Sequence, residues 1–158
     1  MSTTVNSARR PSREPLPVQV LLVICFSFGF FAACKPRLDS SNPSERFQAL
    51  QGVTNQAILA KVALEEKDSD VRRTAVEKLT DPTVLAKVAL SDENAPIREA
   101  AVWRISDETT LVSVALHDSA QDIREAAVWR ITNRAALAQV AAQTRDPAVS
   151  NAVAKKLR

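Results

Sequence analysis

The 158-residue chain is predicted to be all-α, an α–α superhelix of about nine short helices stacked in pairs. Three observations predict this fold. A pattern of residues repeats every 26 positions, and each repeat contains two apolar stripes with helical spacing, each preceded by a helix-capping position. The chain also has only two glycines, too few for a fold rich in hairpin turns. Because aromatic residues make up only 4% of the chain, the core must consist of alanine, valine, leucine and isoleucine.

The first 33 residues are predicted to be a signal peptide. Residues 1–15 are polar and contain three arginines, and residues 18–33 are almost entirely apolar. As a helix the apolar run would span roughly 24 Å, less than the hydrocarbon core of about 30 Å. A positive segment, a short apolar segment and small residues at its end are typical of a secretory signal.

The end of this segment, Phe31-Ala32-Ala33-Cys34, resembles a bacterial lipoprotein signal, although Phe31 stands where such signals usually have leucine. The resemblance implies that Cys34 becomes the first mature residue and is acylated, for example with palmitate, and that residues 34–41 form a tether. It places the protein in the cell envelope, anchored to a membrane and facing the periplasm or the exterior. The alternative is an uncleaved signal anchor with an unmodified Cys34.

The rest of the chain consists of a repeated unit. Val62-Ala63-Leu64 recurs at 88–90 and 114–116, and as Val140-Ala141-Ala142. The two middle copies share 14 of 26 residues, including the run IREAAVWRI. The repeat domain is predicted to cover residues 42–158, in the register of units 36–61, 62–87, 88–113, 114–139 and 140–158.

Each unit is predicted to contain two helices. The first follows a capping residue at Asn55, Asp81, Asp107 and Asn133. The second follows Asn42, Asp68, Asn94 and Asp146, with Pro43 and Pro147 suited to the first helical position. Ala120 breaks the capping rule, so its helix is expected to begin less sharply. Helices this short are marginal alone, so their stability must come from stacking.

The apolar stripes predict the core. Leucine lies four residues after each first cap and valine seven residues after it, at Leu59, Leu85, Leu111, Leu137 and Val62, Val88, Val114, Val140. The second helices contribute apolar residues at i, i+4 and i+8, as in Val71, Ala75, Leu79, in Ile97, Ala101, Ile105 and in Ile123, Ala127, Ile131.

These units resemble HEAT-type repeats, in particular the short bacterial variety seen in the phycobilin-lyase class. The matching pattern is Asp-x-x-Val/Ile-Arg-x-x-Ala-Val at 68–76, 94–102 and 120–128, with Asn94 and Ala120 in place of aspartate. The resemblance covers roughly residues 42–158 and implies an armadillo-like solenoid whose second helices line the concave surface. The leucine-rich variant repeat, in which a 3₁₀ turn replaces one helix, is an alternative that the regular stripe of the first helix disfavours.

The second helices also predict a binding surface. Trp103 and Trp129 fall opposite the apolar arc, one repeat apart and roughly 10 Å from each other. Exposed aromatic pairs commonly anchor partner proteins, although a duplication could also have copied one tryptophan that lies over neighbouring alanines. A column of cations, which includes Lys78 and Lys156, flanks the tryptophans. The predicted protein-binding residues are Trp103, Trp129, Arg104, Arg130, Glu99 and Glu125.

A second basic column lies inside the apolar arc of the second helices. It comprises Arg46, Arg72, Arg98 and Arg124. An unpaired charge there would be costly, so these arginines are predicted to be structural and to pair with loop acids such as Glu66, Asp92 and Asp118.

No catalytic, metal or cofactor site is predicted. His117 is the only histidine, no glycine-rich phosphate loop is present, and no zinc site can be completed. The net charge of +3 includes +2 from residues 9–14, so the remainder is near balance, which disfavours nucleic-acid binding. The sequence therefore predicts a non-enzymatic membrane-anchored scaffold that binds another protein or peptide. The alternative is an accessory subunit of an enzyme complex, either non-catalytic or lyase-like.

Overall fold

The computed structural model of the protein describes residues 37–158. The predicted signal peptide, Cys34 and the start of the tether lie outside these residues. Residues 37–41 contain a turn and no helix, and Leu38 packs against the core. The described chain then forms nine helices and no strand, which confirms the all-α prediction for this part. The helices are α1 (Pro43–Gln51), α2 (Gln56–Glu65), α3 (Ser69–Lys78), α4 (Pro82–Ser91), α5 (Ala95–Val102), α6 (Glu108–His117), α7 (Gln121–Arg130), α8 (Arg134–Gln143) and α9 (Pro147–Leu157).

The helices begin where the capping residues predict. All four predicted first-helix caps, from Asn55 to Asn133, are N-caps whose side chains accept a hydrogen bond from a backbone N–H in the first turn. Among the second helices, Asn42, Asp68 and Asp146 do the same. Asn94 and Ala120 occupy the cap position without such a bond, yet α7 still begins directly after Ala120. The first helices α2, α4, α6 and α8 are ten-residue α-helices, not 3₁₀ turns.

The helices stack in two layers. Each first helix packs against the second helix that follows it, and each helix also packs against its counterpart in the next unit. The contacts between successive second helices are more extensive than those between α2 and α4 or between α4 and α6. The contacts between α6 and α8 are as extensive as those between successive second helices.

The core lies between the two layers and confirms the predicted stripes. The leucines Leu59, Leu85, Leu111 and Leu137 are at most 3% exposed, and the central alanines Ala75, Ala101 and Ala127 are fully buried. Val62 is the exception and is only half-buried. It belongs to α2, which has no earlier first helix to cover it among the described residues. In residues 37–158, no helix is both long enough and apolar enough to span a bilayer.

Candidate protein-binding face

The two tryptophans lie on the exposed side of the second helices. Trp103 is 49% exposed and Trp129 is 46% exposed, as the helical wheel predicts. Trp103 directly follows the last residue of α5, and Trp129 lies in the last turn of α7. The equivalent residues in the other units, Gln51, Glu77 and Lys155, are exposed as well. We call the surface formed by Trp103, Trp129, Glu99, Glu125 and Asp122 the tryptophan face.

The glutamates of this face lie one turn before the tryptophans. The indole Nε1 of Trp103 donates a long hydrogen bond of 3.4 Å to Oε1 of Glu99. In the next unit, Gln121 donates from Nε2 to Oε1 of Glu125 at 2.9 Å. Both donors are neutral, so the hydrogen bonds leave the negative charge of each carboxylate uncompensated.

Alanines stand one turn before both tryptophans. Ala100 and Ala126 each lie three residues before a tryptophan, half-buried and buried respectively. The corresponding residues in the first two units are polar: Gln48 is exposed, and Thr74 is buried with its hydroxyl donating to the carbonyl of Asp70 at 2.8 Å. A small apolar residue one turn before the exposed aromatic residue is therefore found only in the later units.

The basic column beside the tryptophans has a structural role that the helical wheel does not predict. Arg104 donates from Nε and Nη2 to the carbonyl of Leu79, at 3.1 and 2.8 Å. Arg130 donates from Nη2 to the carbonyl of Ile105 at 2.8 Å. The other two members act alike: Lys78 donates to the carbonyls of Leu50 and Gln51, and Lys156 to those of Val128 and Trp129.

These cations therefore bond carbonyl groups in the last turn of the preceding second helix or in the residues just after it. Such carbonyls have no partner within their own helix, and a cation there also complements the helix dipole. Arg104 and Arg130 are also predicted protein-binding residues. Their guanidinium groups bond the backbone of the neighbouring unit, while Arg104 remains exposed and Arg130 half-buried. The only sequence signal for this role is that the cation recurs in four successive units.

The second arginine column forms the predicted ion pairs. Each guanidinium bonds a carboxylate about one repeat later, in the pairs Arg46–Glu66 at 2.9 Å, Arg72–Asp92 at 3.1 Å, Arg98–Asp118 at 2.8 Å and Arg124–Asp146 at 2.9 Å. Each arginine also donates from Nη1 to a carbonyl six residues earlier, so it holds the loop before its own helix. We call this column the arginine ladder.

Burial and charge act in opposite directions on these ion pairs. The hydrogen bond to Asp118 raises the pKa of Arg98 above its ordinary value, despite the burial of the group. Burial alone would raise the pKa of Asp118. However, the hydrogen bonds from Arg98 and the Ala120 N–H, together with nearby positive charge, outweigh burial and lower that pKa. The hydrogen bond from Arg46 likewise lowers the pKa of Glu66.

A groove continues the exposed side of the second helices toward the N-terminal end. It lies between α1 and α3 and has a volume of about 710 Å³. Its lining includes Phe47, which is 40% exposed, together with Arg73 and Glu77. Phe47 is not among the predicted protein-binding residues. The signal was present, because Phe47 stands at the repeat position of Arg73, Glu99 and Glu125, where a polar residue is the rule.

The described residues bring together no group of three side chains suited to hold a metal ion. His117 is exposed, with Nδ1 3.0 Å from the carbonyl oxygen of Ser113 in the preceding turn. The geometry of residues 37–158 thus offers a surface with exposed aromatic and acidic side chains. Comparison of the chain with family models, curated proteins and solved structures found no match.

Proposed function

We propose that the chain is a membrane-anchored lipoprotein whose HEAT-like solenoid is a scaffold that binds another protein or a peptide. The observation that carries this proposal is the tryptophan face. Two indoles, each nearly half exposed, lie at equivalent positions of adjacent units, on the second-helix layer. Tryptophan is among the residues that most often dominate the free energy of protein binding.

The surroundings of the indoles support a binding role. Small alanines, half-buried at Ala100 and buried at Ala126, stand three residues before the tryptophans, and each tryptophan belongs to a helix or directly follows one. The adjacent cations are engaged with backbone carbonyls, which fixes the orientation of successive second helices. The face therefore presents its two indoles at equivalent positions of adjacent units.

The proposed scaffold has no chemistry of its own and takes no cofactor. The same face would serve an accessory subunit of an enzyme complex if its partner is an enzyme. The proposed anchor is a lipid on Cys34, which would hold the solenoid at a membrane of the cell envelope. Two or more acyl chains give a stable anchor, because each buried methylene contributes about 0.8 kcal/mol.

Binding by the face is tested with a double variant, Trp103→Glu and Trp129→Glu. Glutamate already occupies the equivalent position at Glu77, so each substitution should change the unfolding free energy by no more than about 0.5 kcal/mol. The full chain, in non-ionic detergent, is used to select peptides from a random displayed library. The double variant should fail to retain the peptides that the parent retains.

The matched control is Leu90→Glu. Leu90 is a large apolar residue, 53% exposed on a first helix, so the substitution removes a similar exposed apolar group from the other layer. This variant should retain the selected peptides. Retention of those peptides by the double variant, or their loss from the control alone, would contradict the proposed face.

The lipid anchor is tested with Cys34→Ser in cells supplied with labelled palmitate. The serine variant should accumulate as an unprocessed precursor without label. Cys25→Ser, within the apolar run, should be processed and labelled like the parent. Label on the Cys34→Ser variant at the parent level would show that the lipid assignment is wrong.

A further inference from the structure

The N-terminal end of the first-helix layer exposes apolar side chains at positions that the later units cover. Val62 of α2 is half-buried, whereas its equivalents Val88, Val114 and Val140 are at most 2% exposed. Ile58, one turn earlier on α2, is 37% exposed. The outer face of a terminal repeat is normally polar, because no further unit covers it. The apolar character of this end indicates that another surface covers it.

Ile58 also differs in size from its equivalents. Val84, Thr110 and Ala136 occupy the same position in the later units, where all three are half-buried. The largest apolar side chain of this column therefore lies at the end of the layer, where it is most exposed. At the C-terminal end of the stack the trend is the opposite, since exposed Ala154 stands where the earlier second helices bury a valine or a leucine.

A groove of about 700 Å³ lies at this N-terminal end. Helix α2 contributes Ile58, Lys61, Val62 and Glu65 to its lining, and the turn before α1 contributes Leu38. The four residues of α2 are spaced three or four apart and form one stripe of the helix. We call these five residues the N-terminal patch.

Charges of both signs surround the apolar part of the patch. Lys61 and Glu65 are exposed and lie one turn apart on α2. Glu66 is paired with Arg46 at 2.9 Å, and exposed Asp39 adds a negative charge at the edge of the groove. In a twofold contact, a residue i that meets residue j is matched by j meeting i. A patch that carries both signs can therefore pair with a copy of itself.

A second copy of the chain supplies what this end needs. The proposed cleavage before Cys34 leaves only residues 34–36 ahead of the described chain, too few to form a further ten-residue first helix like α2. Consider an antiparallel pair of α2 helices centred between Lys61 and Val62. Ile58 of one copy then lies within one turn of Val62 of the other, and Lys61 within one turn of Glu65 of the other.

We propose that the N-terminal patch is a self-association surface, through which two copies of this chain form a twofold dimer. The inference goes beyond the proposed binding of a partner at the tryptophan face, and its choice of occupant rests on the proposed cleavage before Cys34. Leu38 lies four residues after Cys34, a reach of at most about 14 Å, so the lipids of both copies would hold the contact close to one membrane. Confinement to one membrane raises the effective concentration, which favours a contact as small as one pair of helices.

Sedimentation equilibrium of the full chain tests the dimer. The chain is studied in a density-matched non-ionic detergent, with micelles in large excess over protein. The parent should show a reversible equilibrium between monomer and dimer. Ile58→Asp should weaken the association at least about tenfold, because the contact would bury an unpaired charge. The matched control is Leu90→Asp, at an exposed leucine in the middle of the same layer, which should associate like the parent.

Reversing the exposed charges tests the reciprocal pairing without changing a packed residue. Lys61→Glu and Glu65→Lys each place like charges on both copies, so each variant alone should associate more weakly than the parent. An equal mixture of the two variants should associate at least about tenfold more tightly than either alone, since every charge of one then meets the opposite charge of the other. Lys87→Glu, at the equivalent exposed lysine of α4, should leave the association unchanged.

A parent that remains monomeric at every concentration, or that forms assemblies larger than two copies, would overturn the twofold dimer. A dimer that Ile58→Asp and both charge variants leave intact forms through another surface, and the N-terminal patch would be the wrong assignment. The fate of the proposed function is read separately. Ile58→Asp should retain the library peptides that the parent retains, because Trp103 and Trp129 lie in later units, and labelling of Cys34→Ser reports on the cleavage.

Discussion

Arg98 shows how a single side chain joins three segments of this chain. Its Nε and Nη2 atoms donate to the Asp118 carboxylate at 2.8 and 2.9 Å, and its Nη1 atom donates to the carbonyl of Asp92 at 3.0 Å. Both side chains of the ion pair are at most 10% exposed. The guanidinium thus connects α5 to the loop before it and to the loop after α6.

Arg98→Ala should lower the free energy of unfolding by about 1–3 kcal/mol, because it leaves Asp118 buried without its charged partner. The matched control is Arg73→Ala, which removes an exposed arginine paired with Glu77 four residues later. That change should cost no more than about 0.5 kcal/mol, since exposed pairs contribute little. Urea unfolding measures both. Equal stability losses in the two variants would contradict a structural role for the ladder.

The arginine ladder also predicts how stability depends on pH. Asp118, Glu66 and Asp146 have lowered pKa values in the folded protein, the last mainly through its hydrogen bond from Arg124. A lowered folded pKa gives stability that is complete above the unfolded pKa, near 4, and is lost as the pH falls through the folded pKa. Urea midpoints should therefore fall as the pH is lowered from about 5 to about 3.

Arg98→Ala should reduce this pH dependence, because Asp118 then loses the partner that lowers its pKa. The stability difference between the parent and the variant should be largest near neutral pH and should shrink in acid. A difference that stays constant from pH 7 to pH 3 would show that the ion pair contributes nothing to the pH dependence.

At the scale of helices, the sequence predicts beginnings better than ends. Asparagine and aspartate at a cap position have a direct local effect, since their side chains accept from the next backbone N–H groups. The residue at which a helix ends depends on the segments that pack against it. The nine residues IREAAVWRI occur in two units, yet α5 ends at Val102 while α7 continues through Arg130.

The basic column illustrates the same limit. A helical wheel places Arg104 and Arg130 beside the tryptophans, which is equally compatible with a binding surface and with a structural role. Whether a long side chain reaches the carbonyls of the preceding unit depends on how closely successive second helices pack. That distance is a property of the stack and is not contained in the sequence of one helix.

Ala120 offers a test of capping at this scale. Ala120→Asp should stabilise the protein by about 1 kcal/mol, because the new carboxylate can accept from the first-turn N–H groups of α7. The reciprocal change, Asp68→Ala, removes hydrogen bonds from the N–H groups of Asp70 and Val71 and should cost a similar amount. Thermal unfolding would compare the two. The capping interpretation is wrong if both changes shift the melting temperature in the same direction.

At the scale of the whole molecule, the 26-residue period was sufficient to predict the stack, its core and the arginine ladder. The period predicts the fold because similar units pack against similar neighbours, so one pattern of apolar residues describes each interface. The period does not predict the burial of residues in units whose neighbours or sequence differ from the rest. Val62 is half-buried at the first unit of its layer, and Phe47 is an exposed aromatic residue at a position that is otherwise polar.

The central claim is that a polypeptide partner covers Trp103 and Trp129. Acrylamide quenching of tryptophan emission tests it most directly, because the quencher is neutral and the nearby carboxylates do not repel it. In the free chain both indoles should be readily quenched, as exposures of 49% and 46% require. A saturating amount of a peptide selected by the parent chain should protect both indoles and shift their emission to shorter wavelength. Unchanged quenching while that peptide remains bound would contradict the claim.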